Sequence, residues 1–563
     1  MRKFLVVLAI FTISFSCKEV KKEIIKEPVV LNDSIAEVKK EIPFVWEGAN
    51  IYFMLTDRFY NGNPDNDINF ERTNETAMLR GFQGGDIAGI TQKLEEGYFS
   101  NLGVNAIWFT PVVEQVHGDT DEGTGNTYGY HGYWTKDWTA LDPNFGTRKE
   151  LEKLVKTAHS RGIRVILDVV LNHTGPSTDK DPVWPEDWVR TSPTCEFTTY
   201  ENTTSCTLVK NLPDIYTASD EEVALPDALL AKWKEEGRLS NELDELQLFF
   251  NRTGYPRAAR FYIIKWLTDY VNDLGVDGFR VDTVKHVDEE AWSALYKEAS
   301  YAFETWKKKH PNDILDDNPF YMVGEVYNYG ISGGRSYDFG DKKVDYFNHG
   351  FHSLINFELK QDAEKDYETI FSKYNKLLHT KLKGKSVLNY LSSHDDGAPF
   401  DKERNRPYYA ANVLLLTPGA SQIYYGDETS RSLVIEGTEG DATLRSFMNW
   451  QDLDSLPKTQ KIQEHWQKLG KFRSTHPALG AGKHKRLAKK PYVFSRSYVK
   501  GDYRDKVVVG LDLPKGKKSL WVKGFFGEGT KLIDTYSNTA VVVQNGKVVL
   551  ENDYDIALLE LDQ

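Results

Sequence analysis

Eight short apolar runs constrain this chain more than any other feature: residues 51–55, 105–109, 164–168, 278–281, 321–325, 344–347, 386–391 and 422–425. They are continuously apolar rather than alternating, as expected of strands buried on both faces. Amphipathic helical stretches separate most of them, among them 148–160 and 260–274. Strands alternating with helices predict an α/β fold with a parallel sheet. Eight such units predict a closed (β/α)8 TIM barrel, with an open doubly wound sheet as the alternative. Asp168, Asp282, Glu325, His394 and Asp395 fall where strands run out, and barrel enzymes keep their chemistry at that end.

Two further bodies are expected. About a hundred residues separate the third and fourth runs, far more than a crossover helix needs, and loops of that length are functional or separately folded. From about residue 483 to 563 the pattern changes to short alternating runs, which predicts an all-β C-terminal sandwich domain. The net charge of -13 disfavours nucleic acid as a partner, because a phosphate backbone requires a basic face. Aromatic content of 13% is compatible with stacking on sugar rings and equally with a large core.

The first residues read as an export signal: Arg2 and Lys3, an apolar run over 4–15, then Ser16 and Cys17. That run is too short to cross a bilayer as a mature helix. Cys17 resembles a bacterial lipoprotein cleavage site, although Ser14 stands where a leucine is usual. Residues 1–17 are therefore read as a lipoprotein-type signal peptide and 18–43 as a solvated tether. The expected localisation is the cell envelope, periplasmic or outer-membrane anchored through a lipid on Cys17, with plain secretion as the alternative. Cys195 and Cys206 lie in a Thr-rich loop; a disulfide in an oxidising compartment and two free thiols are both open.

The most informative stretch is Gly278-Phe279-Arg280-Val281-Asp282-Thr283-Val284-Lys285-His286. Residues two apart on a strand project to the same side, so Arg280 stands beside Asp282 and favours its ionised form. This nonapeptide resembles the nucleophile segment of the α-amylase superfamily of retaining α-glycosidases. Three companions follow the family's order: Asp168-Val-Val-Leu-Asn172-His173-Thr-Gly175, Gly324-Glu325-Val326, and Tyr390-Leu-Ser-Ser-His394-Asp395-Asp396. The resemblance spans about 46–480. It implies Asp282 as nucleophile, Glu325 as general acid/base and Asp395 as stabiliser of the distorted sugar. It further implies that Asp168 braces Arg280, and it gives Arg280, Asp168, His131, Tyr133, His173 and His394 as the substrate-binding set. It also gives the domains their expected bounds: a catalytic barrel over 44–482 with domain B inserted at about 175–256.

Two calcium sites follow from the same resemblance. Asn61, Asn63, Asn66, Asp67, the Gly84 carbonyl and Asp86 form one oxygen-rich set, of the hard ligands calcium takes. Asn172, Asp214 and the His286 carbonyl form the second, joining barrel to domain B. The expected activity is retaining endo-hydrolysis of α-1,4-glucosidic bonds in an α-glucan such as starch or glycogen. Alternatives are a cyclomaltodextrinase, neopullulanase, α-glucosidase or transglycosylase, which share these residues. From another class, the alternative is an envelope glycan-binding protein on an inactive barrel.

Overall fold

The computed structural model describes residues 42–121 and 123–562. The leader, Cys17 and all but the last two residues of the tether lie outside the described residues.

Eight parallel strands form a closed barrel: β1 Asn50–Met54, β2 Ala106–Phe109, β3 Arg164–Val169, β4 Gly278–Val281, β5 Tyr321–Gly324, β6 Ser353–Asn356, β7 Ser386–Asn389 and β8 Ala420–Tyr424. Asn50 pairs with Ser421, so the first strand meets the eighth and the open-sheet alternative is excluded. All eight strands are fully buried, which is why their sequences show no polar alternation.

The surrounding helices carry local start and stop signals. Arg148–Ser160 begins at a capping box between Thr147 and Glu150 and buries Leu151, Leu154, Val155 and Ala158, the spacing of one helical face. Ala259–Leu274 stops at Gly275, which has φ +73°. A Cβ at Gly275 would stand 2.1 Å from the Trp306 ring, so both the backbone and the packing require glycine.

One strand expectation is corrected. Residues 344–347 do not supply the sixth barrel strand: Lys343–Val344 forms a two-residue hairpin with Tyr337–Asp338, and Tyr346–His349 is a 3-10 turn. The strand is Ser353–Asn356, whose polar ends are buried. Asn356 Nδ2 donates to Asn389 Oδ1 at 2.8 Å and to Tyr374 Oη at 3.0 Å. These partners make burial of an amide tolerable and leave a strand that no apolar run announces.

Between β3 and Ala259–Leu274 the chain makes a small hairpin, Val189–Arg190 with Asp214–Ile215, and the helices Asp227–Glu235 and Leu239–Thr253. Trp233, Leu246 and Phe250 of those helices join the barrel's own core. Cys195 and Cys206 are disulfide-bonded, which closes the question left by their spacing. After residue 482, strands β9 Lys483–Ala488, β10 Tyr492–Lys500, β11 Tyr503–Leu511, β12 Gly516–Trp521, β13 Lys531–Asp534, β14 Thr539–Val542, β15 Lys547–Asn552 and β16 Ala557–Leu561 follow. Six form an antiparallel sheet in the order β9-β10-β11-β16-β13-β14, and β12 pairs with β15. Val508, Leu520, Val548 and Leu559 share the core between them.

Candidate active site

Register places the charged residues. Arg280 on β4 is level with Asp168 on β3 and Val323 on β5. Just past the strands, the Asp282 N–H donates to the Val169 carbonyl at 3.0 Å and the Glu325 N–H to the Val281 carbonyl at 2.9 Å. Asp168, Asp282 and Glu325 therefore leave three adjacent strands at one end of the barrel. Thr283 follows with φ +48°, a conformation unfavourable for a β-branched residue. In that conformation its N–H donates to Glu325 Oε2 at 3.0 Å.

One guanidinium gathers the three carboxylates. Arg280 Nη1 lies 2.8 Å from Asp168 Oδ1 and 2.8 Å from Asp282 Oδ1, and Nη2 lies 3.0 Å from Glu325 Oε2. Asp168 is itself held by Trp108 Nε1–H at 3.0 Å and Tyr133 Oη–H at 2.8 Å. Arg280 and Asp168 lie beneath the cleft rather than among its lining groups. The ion pair expected between Asp168 and Arg280 is present.

Burial pushes the Glu325 carboxyl well above the usual range against the pull of Arg280, and the nearby Asp282 and Asp395 charges push it the same way. Asp395 shifts downward: burial opposes its ionisation, but His394, Arg280 and a hydrogen bond from Glu325 outweigh it. Of the two carboxyls, Glu325 is therefore the one that favours the proton. Burial takes the His394 ring down to about 4 and His131 well below its ordinary value, so both are neutral donors and acceptors.

The cleft has a volume of about 540 Å³ and is lined by Asp282, Glu325, Asp395, His131, Tyr133, His173 and His394, among others. Tyr133 and His394 stack with ring centroids 5.3 Å apart. His394 Nδ1 lies 3.7 Å from Asp395 Oδ1, and the His394 carbonyl accepts from Arg445 Nε at 2.9 Å.

Arg445, Asp441, Arg80, Phe197, Lys285 and Tyr327 also line the cleft and were not singled out from the sequence. Lys285 lay inside the nonapeptide and Tyr327 two residues past Glu325, so adjacency was a usable signal. Arg445 pairs locally with Asp441, four residues earlier, at 2.5 Å, but the bond from Arg80 to Asp441 at 3.1 Å and that from Arg445 to the His394 carbonyl, which tie the pair to the cleft, join segments distant in sequence.

The two oxygen-rich sets are each brought together, with differences between them. One end of the Asn172 amide lies 3.1 Å from the His286 carbonyl oxygen and 3.2 Å from Asp214 Oδ1. With the amide oxygen there, three acceptors converge, which a cation relieves; with the nitrogen there, the cluster is hydrogen-bonded. In the other set, Asn61 Nδ2 donates to Asp67 at 2.9 Å, and the Oδ1 atoms of Asn61 and Asn66 are buried without a partner. Gly84, at φ +86°, packs so closely that a Cβ would lie 2.4 Å from Asn61 Nδ2 and 2.6 Å from Asp67 Oδ1. Asp86 accepts from the N–H groups of Gly62, Asn63 and Gly89, capping the helix Ile87–Glu95, and Asn63 Oδ1 accepts from the Asp65 N–H. Among the described residues no three His, Cys, Asp or Glu side chains gather around a metal position. Each set instead combines carboxylate oxygen with amide and carbonyl oxygens, a donor chemistry that fits calcium.

Residues 53–474 match the sequence profile of the alpha amylase catalytic domain. The periplasmic alpha-amylase of Escherichia coli (strain K12) is 37% identical over 84% of this chain and 73% of its own length. The cyclomaltodextrin glucanotransferase of Bacillus sp. (strain 1011) is 28% identical over 77% of this chain, which spans 55% of that protein. In fold, the alpha-amylase from Geobacillus thermoleovorans, solved with acarbose, superposes with a TM-score of 0.63 at 21% identity, covering 92% of this chain and 100% of that one.

Proposed function

The chain belongs to the α-amylase family of glycoside hydrolases, and from that premise we propose that it cleaves α-1,4-glucosidic bonds within starch, glycogen or maltooligosaccharides with retention at the anomeric carbon. The observation that carries this reading is Arg280, whose two terminal nitrogens meet Asp282 and Glu325. Retention needs two carboxyls close together, about 5–5.5 Å apart, where inversion needs about 6.5–9.5 Å. Two carboxylates bonded to one guanidinium support the closer arrangement.

Asp282, which accepts from Arg280 Nη1 at 2.8 Å, attacks the anomeric carbon. Glu325, holding its proton, gives it to the departing glycosidic oxygen. The resulting carboxylate then takes a proton from the water that releases the sugar from Asp282. Asp395 and the neutral His394 and His131 hold sugar hydroxyls, and Tyr133 offers a ring face to the sugar's C–H face. Asp168 keeps Arg280 and Tyr133 in place.

Asn172, Asp214 and the His286 carbonyl would hold one calcium ion, and Asn61, Asn66, Asp67 and the Gly84 carbonyl a second. Bound there, calcium supplies charge neutralisation and cross-linking of the surrounding loops. Export is supported by the leader pattern and by a relative described as periplasmic; anchoring through a lipid on Cys17 is part of the same proposal.

The test is a time course of products from soluble starch and from pullulan, for wild type and Glu325→Gln. A spread of maltooligosaccharides from starch, intact pullulan and an inactive variant are expected. Panose from pullulan, or glucose alone from chain ends, transfers the assignment to a sister activity. Starch bound equally by both forms without any product rejects hydrolysis.

A further inference from the structure

Trp134 and Thr135 are neighbours in sequence but line different cavities. Trp134 lines the catalytic cleft, and Thr135 lines a second cavity of about 300 Å³. Thr135 opens the strand Thr135–Leu141, where successive side chains point to opposite faces. Val116, Trp134 and Leu212 form a small apolar cluster in which Val116 faces the second cavity while Trp134 and Leu212 face the cleft. The two cavities stand back to back across one layer of side chains.

The second cavity has a wall unlike that of a packing defect. Pro176, Pro182, Val183, Trp184 and Pro185 give it an apolar side. Trp184 is held edge-on by Trp138 and Trp188, with centroids at 5.5 and 5.1 Å. Its buried charges are paired: Lys136 with Asp181 at 2.5 Å, and Lys232 with Asp137 at 2.5 Å and Glu114 at 2.6 Å. Asp227, exposed at the rim, is left as a carboxylate acceptor without a cation partner among the described residues.

Hydrogen-bonding capacity is nevertheless left over. Thr135 Oγ1 is buried without a partner among the described residues. The helix Asp227–Glu235 begins at the cavity without a side-chain cap; the Leu229 and Leu230 N–H groups donate to the Pro226 carbonyl, which leaves those of Asp227 and Ala228 without intrahelical acceptors. Apolar faces, an aromatic ring, spare donors and a rim carboxylate that can accept from hydroxyls suit a polyhydroxyl molecule with C–H faces. The volume is at the small end of ligand pockets, about 300–1,000 Å³, room for one or two sugar rings.

We propose that this cavity is a second saccharide site, separate from the cleft and sharing the Trp134–Thr135 wall with it. That its ligand is an α-glucan rests on the function proposed above; that it is a sugar rests on the cavity's own chemistry.

Titration calorimetry of the full chain carrying Glu325→Gln tests this, with maltose, cellobiose and sucrose as probes. Ala228 is exposed and borders the cavity, so Ala228→Trp obstructs it without entering the core. Two maltose-binding events are expected, one weakened by about tenfold or more in Ala228→Trp and weakened again by Thr135→Val. In the chain with Glu325 intact, Ala228→Trp leaves the rate on maltotriose unchanged. A single maltose event, or two that survive both substitutions, overturns the proposal. An Ala228→Trp-sensitive event without binding in the cleft rejects the cleft's α-glucan assignment while keeping this site. Cellobiose or sucrose there in place of maltose overturns the α-glucan ligand.

Discussion

Glu325 Oε2 lies 3.0 Å from Arg280 Nη2, yet its carboxyl is held well above the ordinary range because burial and the Asp282 and Asp395 charges outweigh that cation. A contact that would by itself favour the carboxylate therefore positions an acid. The proton is needed for the first step, so kcat/KM falls on the alkaline side as Glu325 loses it, with a midpoint above that of a free glutamate. Glu325→Gln removes the proton source and the later base, a loss of about 10²–10⁴-fold or more. A pH–rate profile checks the first expectation, and single-turnover rates on maltotriose check the second. An alkaline limb that persists unchanged in residual Glu325→Gln activity assigns the proton elsewhere.

The Asn172–Asp214–His286 cluster ties the end of β3 to the insertion and to the turn after β4. A cation bound there and absent from the unfolded chain stabilises the fold by about 2.7 kcal/mol at a hundredfold excess over its Kd. Adding EGTA is expected to lower Tm, and calcium to restore it where magnesium does not. Asp214→Asn removes a ligand charge and should shift the calcium response to higher concentration. A Tm indifferent to chelator in the wild type rejects resident calcium at both clusters.

The strand-end carboxylates were legible because barrel strands expose their carboxyl ends in a fixed order, so Asp168, Asp282 and Glu325 could be placed at one mouth by counting runs, while the roles expected of them came from the family resemblance. The same method passed over Ser353–Asn356, since a buried Asn356–Asn389 amide pair reads as polar in one dimension. Arg445 and Asp441 pair locally, but their links to His394 and Arg80 at the cleft are long-range and no local pattern encodes them. The calcium sets fall between these cases: the oxygen-rich residues were visible, but the spending of Asp86 on helix capping and of Asn63 on a turn depends on backbone geometry.

The Cys195–Cys206 disulfide closes the loop that brings Phe197 to the cleft and the Thr203 carbonyl to His286 Nδ1 at 3.1 Å. A loop of this size contributes about 3 kcal/mol in the chain-entropy account. Replacing both cysteines by serine should lower stability by about 2–3 kcal/mol and raise KM more than it lowers kcat, because Phe197 lines the cleft with an apolar ring that has no proton to transfer. Urea denaturation and steady-state kinetics read the two effects. Equal losses in kcat and kcat/KM locate the loop's influence in the chemical step instead.

His476 joins the barrel to the C-terminal sheet. It follows the helix Pro457–Thr475, places Nδ1 2.7 Å from Asp505 Oδ1 on β11, and bonds through Nε2 to Glu560 on β16. Asp505 Oδ2 also accepts from the Ala478 N–H at 2.8 Å. Burial alone would favour the neutral ring, but the two carboxylates outweigh it and raise the pKa to about 9. A histidine raised in the folded state contributes stability that is complete below its unfolded value, about 6.5, and is lost as pH rises through the folded one. Each tenfold gain in proton affinity on folding corresponds to about 1.4 kcal/mol, so the wild type should lose up to about 3 kcal/mol between pH 6 and 10 through this residue. Urea unfolding across that range, compared with His476→Gln, isolates the contribution: the variant should be less stable at pH 6 and show a shallower slope. Parallel curves for the two proteins mean that the interface does not depend on a protonated ring.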